Sequence, residues 1–123
     1  MEVNEQLPGF EGTLTREEAL RKELTDWWMD LAKDEVNAVI PKAVEYGASD
    51  LDVMAAAMVL LLPEPMRDRR VGLEMAVAFY ALGKVARLFG AFEQGKLPSD
   101  DTWHDLGVYC RMAQRIRETG AWV

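Results

Sequence analysis

The sequence of 123 residues contains one cysteine and one histidine, and each scarcity excludes a class of protein. Cys110 alone cannot form an internal disulfide, and His104 without a second histidine or a nearby cysteine makes no ordinary zinc site. The longest apolar run, residues 53–62, has about half the length of a membrane span. Residues 1–12 are acidic and have no apolar run, so they do not resemble a signal peptide. We therefore expect a soluble, cytoplasmic protein without a membrane segment.

Positive charge is also scarce. The chain has 14 Lys and Arg against 21 Asp and Glu, which gives a net charge of −7. Binding to a nucleic-acid backbone needs clustered positive charge, so we expect no nucleic-acid partner. Arginines do gather at residues 67–70 and 111–117, which leaves a helix-turn-helix as a third and weaker possibility. Small phosphorylated ligands stay open, because a bound divalent cation can reverse the local sign of the charge.

No segment alternates between apolar and polar residues, so the sequence predicts no β-sheet. Apolar residues instead recur at helical spacing, between short turns that contain glycine and proline. This pattern predicts an all-α protein: an antiparallel bundle of four to five helices that forms oligomers. We expect a flexible N-terminal arm at residues 1–14, with its apolar residues docked on the body, and a single helical domain at residues 15–123.

The first two helices have clear boundary signals. Thr15 and Glu18 form a capping box, and Pro41 is expected to kink or break helix 1 before Gly47 ends it. Residues 51–62 are apolar on nearly every side, so helix 2 should be the most buried helix. We expect one of two capping residues to begin it, Ser49 or Asp50.

Helix 3 is predicted over residues 66–94, with Gly95 closing it. Seven of its apolar residues keep strict 3-4 spacing, which is typical of a coiled-coil-like contact with another helix or a second subunit. We name these residues the α3 seam: Val71, Met75, Ala78, Leu82, Val85, Phe89 and Phe92. Helix 4 should begin at Ser99 or Asp100 and end at Gly120. The spacing also predicts that Cys110 is a buried, inert thiol. Four further residues are predicted to lie in the core: Trp27, Trp28, Met75 and Phe89.

Several acids lie where the helical pattern expects apolar side chains. Glu74 falls within the seam of helix 3, and Asp34 and Glu35 fall on or beside the apolar stripe of helix 1. Asp101 and Asp105 lie one turn apart, away from the main apolar arc of helix 4. A buried carboxylate needs a partner, so Glu74 requires an arginine, a lysine or a cation.

Two interpretations of these acids stay open. In the first, Glu74 pairs with Arg70, while Asp101 is solvated and His104 is a surface residue near Asp100. In the second, acids from facing helices converge on Mg²⁺, which prefers oxygen ligands and bridges to phosphates. Lys84 and Arg87 would then hold phosphate oxygens, and a metal-activated water would attack a phosphoanhydride.

Residues 74–88, read as E-x-x-x-x-x-Y-x-x-G-K-V-A-R-L, and residues 99–109, S-D-D-T-W-H-D-L-G-V-Y, resemble the second half of MazG-like all-α nucleoside triphosphate pyrophosphatases. Residues 42–47, K-A-V-E-Y-G, are similar to another element of that family. The resemblance covers residues 42–116. The small size and acidic composition also resemble uncharacterised proteins of actinobacterial phages.

The resemblance implies a homodimer or tetramer that binds Mg²⁺ and cleaves a nucleoside triphosphate to a monophosphate and pyrophosphate. Asp105 and Glu74 would be catalytic. The predicted metal ligands are Glu35, Asp34, Glu74, Asp101 and Asp105, and the predicted substrate contacts are Lys84, Arg87 and His104.

The family's E-E-x-x-E element is missing, since Asp30, Asp34 and Glu35 lack its spacing. The alternative is a non-enzymatic phage protein that binds and modulates a host protein.

Overall fold

The computed structural model describes residues 15–123, so the predicted arm at residues 1–14 lies outside the described residues. The described part contains four α-helices: α1 Arg16–Tyr46, α2 Ser49–Met58, α3 Arg69–Glu93 and α4 Asp100–Thr119. Two single-turn 3₁₀ helices, Val59–Leu61 and Glu64–Met66, connect α2 to α3. No strand occurs between residues 15 and 123, so the predicted all-α class is confirmed.

The described part of the chain divides into two compact units, one that ends at Lys42 and one of residues 43–123. The described part of the first unit is α1 up to Lys42. The second unit contains the end of α1 and the helices α2, α3 and α4. The boundary predicted at residues 14–15 stays a prediction.

The first turn of α1 has the predicted capping box. The backbone N–H of Glu18 donates to Thr15 Oγ1 over 3.2 Å, and the N–H of Thr15 donates to Glu18 Oε2 over 3.4 Å. Helix α1 then continues through Pro41 and ends at Tyr46, so Pro41 does not break the helix, and the alternative that it kinks the helix stays a prediction. Proline removes one N–H donor from the helix, and the carbonyl that loses it belongs to Asn37, an exposed residue that water can solvate. Gly47, with φ of 69°, ends the helix as predicted.

The core of the second unit lies among α2, α3 and α4. Leu73, Val77 and Ile116 are its largest fully buried side chains. These residues lie on one face of α3 and one face of α4, and α2 covers them. The remaining members of this core are all apolar: Leu51, Ala55, Met58 and Ala76.

Helices α2 and α3 approach each other closely at Gly72, which is buried. A Cβ atom at this position would meet the carbonyl oxygen of Ala55 at 2.8 Å and Val59 Cβ at 3.3 Å. Because glycine has no side chain, the two backbones can lie closer together than a residue with a Cβ atom would allow.

Helix α2 differs from its prediction in two ways. Its N-cap is Ala48, and neither Ser49 nor Asp50 caps it with a side chain. It also ends at Met58, four residues earlier than predicted, because Val59–Leu61 forms a 3₁₀ turn. With three of its ten residues buried, against five of 25 in α3, it is the most buried helix, as expected, although Val53 is 70% exposed. One face of this ten-residue helix contacts α3. An apolar composition does not by itself determine whether another element covers the remaining faces.

Helix α3 begins three residues later than predicted, at Arg69, because Glu64–Met66 forms a separate 3₁₀ turn and the side chain of Asp68 accepts a hydrogen bond from the N–H of Arg70. It ends as predicted at Gly95, whose φ is 72°. Of the two expected caps of α4, Ser99 is the one that accepts the hydrogen bond from Thr102, and Gly120 closes the helix in a left-handed conformation.

Three of the aromatic residues assigned to the core are mainly exposed. Trp27 is 58% exposed, Trp28 is 60% exposed and Phe89 is 64% exposed, whereas Met75 is half-buried as a neighbour of the core. Helical spacing identifies the apolar face of a helix, but it does not show whether another element covers that face.

Candidate functional site between α3 and α4

One predicted site residue from α3 and one from α4 meet in an ion pair. Lys84 Nζ lies 2.7 Å from Asp105 Oδ2. The side chain of Lys84 is only 15% exposed, and that of Asp105 is 43% exposed. The two residues therefore share one site, as expected, but Lys84 contacts the carboxylate that was assigned to a metal.

Glu74 finds its partner on α4. Arg117 Nη2 lies 2.6 Å from Glu74 Oε1, and Arg117 Nε donates to the same oxygen over 2.9 Å. The expectation that Glu74 needs a cationic partner is therefore fulfilled by an arginine. The partner comes from α4, and not from Arg70 one turn away.

A pair of stacked tyrosines lies between the two ion pairs along both helices, with Tyr80 on α3 and Tyr109 on α4. The ring centroids of Tyr80 and Tyr109 are 5.9 Å apart, and the rings are inclined by 29°. Burial raises the pKa of the Tyr80 hydroxyl above its usual value, and the negative charge of Asp50 raises it further. Tyr80 is therefore neutral at physiological pH. As the pH rises through the usual range of tyrosine, the hydroxyl ionises more readily in the unfolded chain than in the folded protein, so the free energy of unfolding decreases there.

The other predicted site residues are more dispersed. Asp101 is exposed in the first turn of α4, His104 is half-buried on the same helix, and Arg87 is exposed on α3. Asp34 and Glu35 lie on α1, in the first unit. Only Lys84 and Asp105 of this predicted set are joined by a hydrogen bond in the part of the chain that the structure describes.

Within residues 15–123, no three side chains of His, Cys, Asp or Glu lie together as metal ligands could. Two of the five acids predicted to bind the metal, Glu74 and Asp105, are each paired with a basic side chain. A carboxylate in such a pair would have to exchange its partner before it could bind Mg²⁺, and Lys84 would have to leave Asp105 before it could hold a phosphate. The arrangement thus supports packing of α3 on α4.

An open groove of about 590 Å³ lies beside the Glu74–Arg117 pair. Its charged rim contains three arginines of α4, Arg111, Arg115 and Arg117. Each guanidinium already donates a hydrogen bond within the chain, to Gln114 Oε1, to the carbonyl of Trp122 and to Glu74 respectively. These arginines belong to the cluster that left DNA binding open, and Glu74 and Glu118 offset much of their charge.

Cys110 is exposed, so its assignment to a buried position is wrong. Trp103, from the same predicted apolar arc, is 53% exposed, whereas Ile116 is fully buried. Ile116 lies in the core and Tyr109 and Ala113 of the same arc pack against it, while the neighbouring stripe contacts α3 through Asp105.

Sequence reasoning did not find the role of Arg117 or the contact between Tyr80 and Tyr109. Arg117 was grouped only with the other arginines near it, because nothing local distinguishes an arginine that crosses to another helix. One available signal was Glu74 itself, whose position on an apolar helix requires a cation from a neighbouring helix.

We expect Asp105→Ala to lower the free energy of unfolding by about 1–3 kcal/mol, because Lys84 would remain largely buried without its partner. Replacing both residues, in Lys84→Met with Asp105→Ala, should recover part of the loss. Urea denaturation checks both results. Asp26→Ala is a matched control, since it removes an exposed ion pair with Lys22 and should cause no measurable change.

If Asp105→Ala is as harmless as Asp26→Ala, the contact between Lys84 and Asp105 does not stabilise the protein.

A transmembrane segment was not expected, yet among the residues that the structure describes one helix, α3, is long and apolar enough to cross a membrane. Core helices of soluble proteins satisfy the same criteria, so this is weak evidence for a membrane location.

Comparison with known proteins found no matching family model, no similar curated protein and no similar solved structure.

Proposed function

We propose that this protein is a non-enzymatic binding protein that inserts one face of α1 into an apolar groove of a partner protein. The observation that carries the proposal is an apolar face of α1 that is largely uncovered. We name it the α1 stripe: Leu20, Leu24, Trp27 and Leu31, which are 50%, 55%, 58% and 43% exposed.

The spacing of the α1 stripe is typical of helices that bind in a groove. Positions i, i+4, i+7 and i+11 lie within about 60° of one another on an ideal helix, so one groove can receive all four side chains. Tryptophan at the centre of such a contact is often the largest single contributor to affinity. Trp28 lies beside Trp27, with ring centroids 6.0 Å apart, and widens the apolar surface.

The charge on α1 specifies the partner further. Residues 16–35 contain seven Asp and Glu against four Lys and Arg. A groove with a basic rim would complement this charge and increase the rate of association. We therefore propose a cytoplasmic protein partner, a host protein if the chain is phage-encoded, with an apolar groove and basic residues around it.

The scaffold that supports this function is an antiparallel helical bundle in our proposal. The contacts Glu74–Arg117, Tyr80–Tyr109 and Lys84–Asp105 support this direction, because the residue number falls along α4 as it rises along α3. The short connection between the two helices, residues 94–99, is also typical of antiparallel neighbours.

A nucleotide pyrophosphohydrolase that uses Mg²⁺ is the rival proposal, with Asp105 and Glu74 at its centre. It requires these acids to exchange their basic partners for a metal ion. Pyrophosphate release from a nucleoside triphosphate that needs Mg²⁺ and is abolished by Glu74→Gln would establish the rival and overturn the binding proposal.

The binding proposal is tested by capturing proteins from host lysate on the full chain and then titrating each purified candidate. We expect Trp27→Ala to weaken the complex at least about 30-fold, in line with a loss of about 2 kcal/mol at a central interface residue. Because Trp27 is mainly exposed, the variant should keep the helix content of the wild type.

Met29→Ala is the matched control, because Met29 is 66% exposed and lies almost opposite the stripe on an ideal helix. It should leave the dissociation constant unchanged. A partner whose affinity falls equally with both variants, or with neither, contradicts binding through the α1 stripe.

A further inference from the structure

Helix α3 has two apolar faces, one buried against α2 and α4 and one, the α3 seam, of which Met75 near the N-terminal end packs against the core. The face in contact includes Gly72, Leu73, Ala76, Val77 and Leu88, all of which are buried. The α3 seam is centred about 150° away from this face on an ideal helix. The helix is therefore apolar on nearly opposite sides, although both of its neighbours, α2 and α4, are packed by the buried face.

The α3 seam is mainly exposed along its C-terminal half. Leu82 is 63% exposed, Phe89 is 64% exposed and Phe92 is 52% exposed, and the neighbouring Phe79 is 53% exposed. Aromatic side chains contribute most to the energy of protein interfaces, because each can bury about 150–250 Å². Three phenylalanines on one side of one helix thus form a patch of the kind that marks an interaction surface.

The spacing of the α3 seam indicates what kind of element covers it. Seven apolar residues at alternating intervals of four and three form a straight strip over residues 71–92, about 32 Å long. Such a strip packs best against another helix of similar length with the same repeat. Helix α3 itself, at 25 residues, has both properties.

The charges at the ends of α3 favour an antiparallel pair. Arg67, Arg69 and Arg70 lie around the start of the helix, where Asp68 and the Asp52 partner of Arg69 offset part of their charge, and Glu93 lies at its end. Two copies that pair in opposite directions about Leu82 bring the acidic end of each helix to the basic start of the other. A parallel pair would bring the arginines of the two copies together, which like-charge repulsion opposes.

The area of contact is sufficient for a specific dimer. The exposed surface of the three phenylalanines, Leu82 and their smaller seam neighbours, counted on both copies, amounts to on the order of 1,000 Å². This reaches the size at which an interface becomes specific. Glu74 is the charged residue within the arc of the seam over residues 71–92, and Arg117 of α4 already pairs with it, so pairing of two copies need not leave its carboxylate buried without a partner.

From these observations we infer that the α3 seam binds a second copy of this chain, with the two α3 helices antiparallel and centred on Leu82. The dimer uses a surface of the second unit, whereas the proposed binding of a partner uses α1. The two proposals can therefore fail independently.

The first test is sedimentation of the full chain over a concentration series from about 1 to 200 µM, near the range where interfaces of this size associate. We expect a reversible monomer–dimer equilibrium that Leu82→Glu shifts at least tenfold towards monomer. Leu82 is exposed within one chain, so the variant should keep its helix content. Trp27→Glu on the α1 stripe is the matched control and should leave the equilibrium unchanged.

Disulfide trapping tests the direction of pairing. In a Cys110→Ser background, Phe92→Cys alone should not cross-link, because an antiparallel pair separates the two copies of residue 92. Val71→Cys with Phe92→Cys should cross-link readily under mild oxidation, since each residue 92 then lies near residue 71 of the other copy.

A chain that stays monomeric throughout the series overturns the inference, and so does association that survives Leu82→Glu. Efficient cross-linking of Phe92→Cys alone overturns the antiparallel direction. Vesicles of neutral phosphatidylcholine provide the last comparison, because α3 meets the length and composition of a membrane span. Binding of the monomer to these vesicles, lost in Leu82→Glu, would assign the seam to lipid.

Discussion

Leu73→Ala is expected to lower the free energy of unfolding by about 2–5 kcal/mol, the largest effect that we expect of a single truncation. Leu73 is 1% exposed and packs in the core of the second unit. Its truncation removes apolar contacts and leaves a cavity that the surrounding helices can fill only in part. A domain of this size is typically stable by about 5–15 kcal/mol, so the variant should approach the limit of folding at 37 °C.

Leu82→Ala is the matched control for this prediction. It makes the same change in the same helix at a residue that is 63% exposed, so it should cost about 1 kcal/mol or less in the monomer. Urea denaturation of both variants at a concentration too low for self-association gives the comparison. Equal losses for the two variants would mean that the face of α3 that carries Leu73 is not the one that forms the core.

Raising the protein concentration should separate the variants further. If the α3 seam binds a second copy, the wild type gains stability with concentration, because the dimer forms only from folded chains. Leu73→Ala should keep this gain and Leu82→Ala should lose most of it.

Gly72→Ala is expected to destabilise the protein by about 1–3 kcal/mol, although alanine is the better helix former. The added Cβ would lie 2.8 Å from the backbone oxygen of Ala55, closer than such atoms approach. Backbone cannot move aside as a flexible side chain can, so α2 and α3 must separate. Their separation loosens the packing of Ala55 and Ala76, which are almost completely buried.

Gly83→Ala provides the control on the same helix. A Cβ at Gly83 meets no atom within 4 Å, so the substitution should stabilise the protein by about 0.5–1 kcal/mol through helix propensity and lower entropy of the unfolded chain. Thermal unfolding should therefore move in opposite directions for the two variants. A gain in Tm for Gly72→Ala would show that α2 and α3 are not in close contact there.

The boundaries of the helices were largely predictable because their causes are local. The capping box of Thr15 and Glu18, the cap of Ser99 and the terminal glycines Gly95 and Gly120 act within one or two turns. The local rule that proline breaks a helix failed at Pro41, because α1 continues for another five residues to Tyr46.

The candidate site was predictable only in part. Lys84 and Asp105 were assigned to one site and do meet, and Glu74 was expected to need a cation and has one in Arg117. Which cation each acid would find could not be known from sequence, because it depends on the rotation and register of α4 against α3. A shift of one residue turns a helix by about 100° and would give Asp105 a different neighbour.

The sequence by itself determined that this protein is helical, where most of its helices begin and end, and which of their faces are apolar, since each of these properties follows from neighbours along the chain. Only the tertiary structure decided which apolar faces are covered. Helix α3 has two such faces, and the absence of a Cβ at Gly72 lets α2 lie against one of them. The choice between them is a matter of packing between distant segments, and it leaves the α3 seam exposed for the contact that we infer.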